Sequence, residues 1–250
     1  MLEGLRSERR WQWAAYGKHP AAKDYFKVGQ DFPLLNSFSE WIESGYEKLA
    51  SRKNLAGTSR SWRFWTREAR RENVVCGVLR DSTDSFGRPY PLLIMGTGPL
   101  KDWVNEWDLV PLACENTWGQ MEYLSTRTFS DLKRLEEEVQ NIRSPAAEWS
   151  DLAKRRESFK GLTPEELGQL NGQASSLSEN MERFILLDQG PSHDQFELIG
   201  LCHLLVKSRT ETVPNAIFMG GTLEKTYCAF FRRPLASPDF VQLWSVPAEG

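Results

Sequence analysis

Aromatic and apolar residues recur near strand spacing through Trp11-Gln12-Trp13-Ala14-Ala15-Tyr16 and stop at Gly17, which predicts a first strand. Behind Phe32-Pro33 the spacing changes. Leu34, Leu35, Phe38, Trp41, Ile42 and Leu49 recur every three or four residues, with Gly45 and Tyr46 between them. That is one apolar face on a helix of about five turns. Proline suits its first turn, where an N–H would have no partner, and Asn54 and Gly57 mark its end. Ser61-Trp62-Arg63-Phe64-Trp65-Thr66 reads as a short strand. Val74 to Leu79 is apolar on both faces, as a central strand would be. Asp81 to Arg88 has turn chemistry. Tyr90 to Met95 follows as a strand closed by Gly96-Thr97-Gly98-Pro99, so an antiparallel hairpin is expected.

The second half repeats the alternation. Trp103, Trp107, Val110 and Leu112 begin a helical stretch with a possible break at Pro111. Ser130 is placed to cap the next helix, whose face carries Leu132, Leu135, Val139 and Ile142. Residues 143–180 are poor in core-forming residues and read as a helical surface insertion, with Thr163-Pro164-Glu165-Glu166 as a helix start. Phe184 to Leu187 is apolar, and Asp188 to Pro191 reads as a turn. Phe196 to Lys207 fits a helix, Val213 to Met219 and Thr226 to Phe231 a hairpin, and Pro238 to Trp244 a closing helical turn or two. The block order favours an α/β or α+β sandwich around a mixed, partly antiparallel sheet. Residues 1–10 read as a mobile N-terminal arm and 11–250 as a single domain.

Composition narrows the function. The 250 residues carry 31 Lys and Arg against 34 Asp and Glu, a net charge of −3, which argues against a dedicated nucleic-acid binder. The start of the chain has no apolar run of secretory-signal type, and no segment reaches the roughly 20 apolar residues of a membrane span. Cys76, Cys114, Cys202 and Cys228 lack metal-ligand spacing and read as buried, reduced thiols of a cytoplasmic protein. The 10 tryptophans are unusual. Most fall on predicted core elements. Trp11, Trp149 and Trp244 are the better candidates for exposed contacts.

Catalytic patterns are missing. His203 sits mid-helix and reads as structural, and His193 as part of a helix entry. No GxSxG elbow presents a nucleophile, and Gly96-Thr97-Gly98-Pro99 lacks the N–H donors of a phosphate loop. The cluster Arg60, Arg63, Arg67, Arg70 and Arg71 is interleaved with aromatics, but it reads as a strand rim. No metal ligands, cofactor box or catalytic set are identified. A hydrolase using Asp24, His19, Asp81 or Asp84 is the rival reading, and it requires these groups to converge in a pocket.

Two loops combine charge, aromatics and backbone-fixing Gly and Pro. One is Tyr16-Gly17-Lys18-His19-Pro20-Ala21-Ala22-Lys23-Asp24-Tyr25-Phe26. The other is Asp84-Ser85-Phe86-Gly87-Arg88-Pro89-Tyr90-Pro91-Leu92. Asp24 and Arg88 are expected to pair across them. The loops are either turns that lock each other or a patch that recognises a partner.

These loops, with Trp41 and the Trp62-Arg63-Phe64 strand, resemble the TagF family (also called ImpM or SciT) of type VI secretion-associated proteins. The matching positions are Gly17, Lys18, Pro20, Asp24, Phe26, Trp41, Trp62, Phe64, Asp84, Gly87, Arg88, Pro91 and Leu92. The ordered resemblance covers about residues 13–125, and more loosely 214–244. His19 stands where the family usually has Leu, Lys23 replaces a Gly, and Tyr90 replaces a Phe. The Lys23 change puts the backbone of that loop in question. The resemblance implies a three-layer α/β/α sandwich and a cytoplasmic, non-enzymatic accessory protein. It further implies post-translational repression of secretion through binding of a forkhead-associated-domain scaffold protein. A structural docking component of the same apparatus is the alternative within that system.

Overall fold

The structure is a computed structural model and describes residues 10–51, 59–157, 168, 172, 181–187 and 195–247. Its frame is an eight-stranded sheet in the order β2-β1-β5-β4-β3-β7-β8-β6. The strands are β1 Gln12–Gly17, β2 Phe26–Gly29, β3 Ser61–Arg67, β4 Asn73–Arg80, β5 Leu92–Pro99, β6 Glu182–Leu186, β7 Ala216–Gly221 and β8 Thr226–Phe231. Among the described residues six α-helices accompany them: α1 Pro33–Ala50, α2 Val110–Thr126, α3 Leu132–Gln140, α4 Trp149–Glu157, α5 Gln195–Lys207 and α6 Ser237–Trp244. The chain is a mixed α/β protein, as expected.

Every pairing in this sheet is antiparallel, which corrects the expected mixed sheet. The reason lies in the connections. Neighbours in sequence are joined by short loops, which build antiparallel pairs. The helix-bearing connections β2 to β3, β5 to β6 and β6 to β7 join strands that are not neighbours in the sheet, so none closes a parallel βαβ unit.

Alternation along the strands divides the core in two. Val74, Cys76 and Val78 of β4 join a cluster with α2, α3 and α5. Val75 and Leu79 join a second cluster with α1 and α6. β4 is therefore apolar on both faces, and the burial of Val74 to Leu79 matches its reading as a central strand.

Four local expectations change. Gly96 and Gly98 do not close β5 but lie inside it. A Cβ on Gly96 would come within 1.9 Å of the Trp13 ring, and one on Gly98 within 2.6 Å of Trp11. The glycines let two indoles lie flat on the strand. Pro111 does not break a helix but sits in the first turn of α2. Asp131, not Ser130, caps α3, with its carboxylate accepting from Arg134 N at 2.9 Å. Trp244 is buried, not exposed, and donates to Asp81 Oδ1 at 2.7 Å.

The other tryptophans follow the reading. All but Trp11 and Trp149 are buried, and those two pack part-buried on the first cluster. The four cysteines are free and buried. Of the expected insertion, α4 is described and buries none of its residues. The helix start at Thr163, the turn at Asp188, His193 and most of the N-terminal arm lie outside the described residues. Among the described residues no helix is long and apolar enough to cross a membrane.

His203 is fully buried on α5, as expected. Its Nδ1 lies 2.8 Å from Ile199 O, and its Nε2 accepts from Trp65 Nε1 at 3.4 Å. Burial lowers its ionisation to about 4, against weaker opposing pulls from the Ile199 carbonyl and Asp108. The unfolded imidazole titrates near 6.5. Between those values the unfolded chain binds more protons, so His203's stability contribution is full above roughly pH 6.5 and is lost as pH falls towards 4. The loss is about 2–4 kcal/mol. Urea unfolding at pH 7, 6 and 5 checks this: His203→Gln should lose distinctly less stability over that range than wild type. Equal losses would contradict it.

Candidate functional site

One rim of the sheet gathers the C-terminal ends of β1, β4 and β7 and the N-terminal ends of β3, β5 and β8. The registers place Gly17 opposite Leu92, Ser61 opposite Arg80, and Gly221 opposite both Ser61 and Thr226. The two loops picked out from sequence leave this rim, residues 18–25 after β1 and 81–91 after β4.

Each loop carries a conformational demand. Gly17 has φ +119°, and a Cβ there would lie 2.0 Å from Pro91 O. No side chain fits, so the β1 loop can cross directly against the β5 entry. Gly87 has φ +77° in open space, so the turn conformation alone requires glycine.

Asp84 sits between the loops with its side chain closed to solvent. Oδ1 accepts from Phe86 N and Arg88 N, each at 3.0 Å. Oδ2 accepts from Arg88 Nε at 2.6 Å and lies 3.1 Å from Lys18 Nζ. Burial alone would raise its ionisation, but these donors outweigh it and hold the carboxyl well below the usual range. Lys18 is itself buried, with its ammonium 4.7 Å from the Tyr25 ring centre. Further ties run from Ser85 N to Ala22 O at 2.8 Å and from Arg88 Nη2 to Lys23 O at 2.6 Å.

Among the predicted residues, Gly17, Lys18, Asp24, Asp84, Gly87 and Arg88 come together here, with Pro20 exposed on the first loop. Phe26 is buried at the start of β2 and serves the core. The expected Asp24–Arg88 pair exists, but it is long at 3.6 Å and exposed on both sides. The strong contacts belong to Asp84. Lys23 has ordinary backbone geometry, since Asp102 is the one non-glycine with positive φ among the described residues. The Gly-to-Lys departure is therefore accommodated.

Sequence reasoning missed the aromatic cluster beside this anchor. Tyr90 is buried, with Tyr25 at 4.6 Å, Tyr46 at 4.9 Å and Tyr16 at 6.3 Å between ring centres, all edge-on. Tyr16 donates to Glu43 on α1, and Tyr46 donates to Pro89 O at 3.0 Å. Burial, followed by the Glu43 bond, pushes the Tyr16 phenol up to about 12. Single tyrosines spread from residue 16 to 90 carry no spacing signal for such a cluster. Tyr25, at the edge of the cluster, and Phe86 stand 54% and 69% exposed on anchored loops.

Of the groups a hydrolase would need, Asp24 and Asp84 share Arg88, and the others are engaged in structural contacts. His19 is fully buried against Phe129, its Nδ1 accepts from Ala21 N at 3.1 Å, and burial lowers its pKa. Asp81 accepts from Arg60 N and Trp244 Nε1. Asp84 is saturated by donors and Asp24 lies in the exposed pair. Among the described residues no group of His, Cys, Asp and Glu is arranged to hold a metal ion.

Asp84→Asn leaves a turn acceptor but strands the buried Lys18 charge. It should lower the thermal midpoint by roughly 5–10 °C. Asp24→Asn removes only an exposed pair and should change it by about 1 °C or less. Calorimetry on the two variants checks this, and equal shifts would contradict the ranking.

A search of curated proteins gives no match. Among solved structures, the crystal structure of PA0076 from Pseudomonas aeruginosa PAO1 aligns with a TM-score of 0.56 at 15% identity, over 95% of this chain and 96% of that chain. This likeness bears on the fold alone. The family of the TagF N-terminal domain, type VI secretion system-associated, matches residues 14–143, a span that holds both loops, the Asp84 anchor and just over half of the chain. The chain belongs to the TagF family of type VI secretion-associated proteins.

Proposed function

We propose that this protein is a cytoplasmic accessory of the type VI secretion machine that represses secretion after translation. On this reading it binds a forkhead-associated-domain scaffold protein through the two-loop rim, without catalysis. The observation that carries the reading is the exposure of Phe86 and Tyr25 on loops braced by a buried, ion-paired carboxylate. Large aromatics held rigidly lose little entropy on binding and anchor protein interfaces. Lys18 lies beneath the Tyr25 ring and Arg88 beside the Phe86 ring, and both cations are paired with Asp84. Asp81 and Asp84 are occupied by donors and His19 is fully buried, which supports a binding role over the hydrolase alternative.

The test combines binding with secretion. Wild-type protein should bind the purified scaffold from the same bacterium in calorimetry, and deleting the gene should raise secretion. Phe86→Ala and Tyr25→Ala should each weaken binding roughly tenfold or more with little change in thermal midpoint. No binding by wild type would sink the scaffold reading. Binding without any change in secretion on deletion would favour the docking-component alternative.

A further inference from the structure

At the other end of β1, away from the two loops, a cavity of about 660 Å³ opens between the start of β1, the end of β2 and the end of α3. Arg10 and Arg143 line it, and no Asp or Glu does. Both arginines are exposed, and neither has an ion pair or a side-chain hydrogen bond among the described residues. The acids around the cavity are engaged elsewhere. Glu136, one turn before Gln140 on α3, accepts from Gly29 N at 3.2 Å. Asp31, next to Gln30, pairs with Lys27 at 2.7 Å.

The walls are held in place from behind. Arg143 N donates to Gln120 Oε1 and Arg143 O accepts from Thr117 Oγ1, each at 2.9 Å, so α2 grips that backbone twice. Trp11 stacks on Trp13 with ring centres 5.0 Å apart, and its Nε1 donates to Pro99 O at 3.2 Å. The carboxamides of Gln30, Gln140 and Asn141 complete the lining. Asn141 is the C-cap of α3, so the cavity meets the carbonyl end of that helix.

Two accessible guanidinium groups without partners favour an anionic ligand, and each planar fork takes one carboxylate bidentately. The helix end decides between anions. Phosphates seat on the N–H groups and positive dipole of a helix N-terminus, and here the opposite end faces the ligand. Carbonyls at that end accept N–H groups. A peptide brings N–H groups for the carbonyls and amide groups for the three carboxamides. Its acidic side chains meet the arginines, and an apolar side chain covers the open part of Trp11. We infer that this cavity docks an acidic peptide segment of a partner protein, with two carboxylates flanking an apolar residue. The site is independent of the two-loop rim, and both can be occupied at once.

The probe is the peptide acetyl-Glu-Phe-Glu-amide, titrated into the full chain at about 50 mM salt. Binding is read on the indole resonance of Trp11 and the guanidinium Nε resonances of Arg10 and Arg143. We expect saturable movement of all three with a dissociation constant on the order of 1 mM. The neutral peptide acetyl-Gln-Phe-Gln-amide should bind roughly tenfold more weakly or worse. Arg10→Gln and Arg143→Gln should each weaken the acidic peptide about five- to tenfold. Equal affinity for the two peptides overturns the proposal, as does wild-type affinity in both folded variants. Tighter binding of adenosine monophosphate on the same resonances assigns the cavity to a nucleotide and also overturns it. If a variant fails to fold, the two peptides on wild type still decide. None of these failures touches the reading of the rim, whose rings Phe86 and Tyr25 lie on the loops at the other end of β1.

Discussion

A carboxylate cannot stay ionised in a closed environment unless donors surround it, and at Asp84 that requirement organises the rim. Two backbone N–H groups, one guanidinium and one ammonium meet the two oxygens. The donors come from both loops, so neither loop satisfies the charge alone. Gly87 gives the turn its left-handed residue, and Gly17 lets the first loop pass against Pro91. Lys18 can be buried only because Asp84 is there. The exposed rings of Phe86 and Tyr25 therefore stand on a fixed base.

The base is stiff because the sheet beneath it is covered on both faces. β4 carries the 81–91 loop from the centre of the sheet, buried against α2 on one side and α1 on the other. α1 and α6 meet closely at Gly45, where a Cβ would lie 2.4 Å from Phe240. The Trp41 indole donates to Ala236 O at 2.8 Å and ties α1 to the entry of α6. α4 is held differently. None of its residues is fully buried; Trp149 and Leu152 pack part-buried on the first cluster, and ion pairs run from Arg155 to Glu115 and from Arg156 to Asp108. The protein thus has a sheet covered on both faces, a braced rim and a more polar attachment beside α2.

Much of this was legible in the sequence wherever the signal was local. The first-helix face, the central strand and the β7–β8 hairpin are periodic patterns, and they stand where the pattern puts them. The errors share a cause. Gly96 looked like a strand end because its real role, making room for Trp13, depends on a residue more than eighty positions away. Trp244 looked exposed because its partner is the distant Asp81. At the site, the two loops and their charged residues were recognisable. The choice of Asp24 over Asp84 as partner for Arg88 was not, because burial of one carboxylate among several in turns leaves no mark on spacing. The Tyr90 cluster was unreadable for the same reason: it is assembled from several elements by the sheet order.

The central claim is that Asp84 makes one unit of two loops. Native-state hydrogen exchange on wild type and Asp84→Asn tests it most directly. The claim predicts that protection is lost together at Phe86 and Arg88 in one loop and at Ser85 N, which donates to Ala22 O across to the other. Ala22 N, which closes the first loop onto His19 O, should lose protection with them, while the amides of β4 and β5 keep theirs. Loss confined to residues 86 and 88, with Ser85 and Ala22 protected as in wild type, would contradict it.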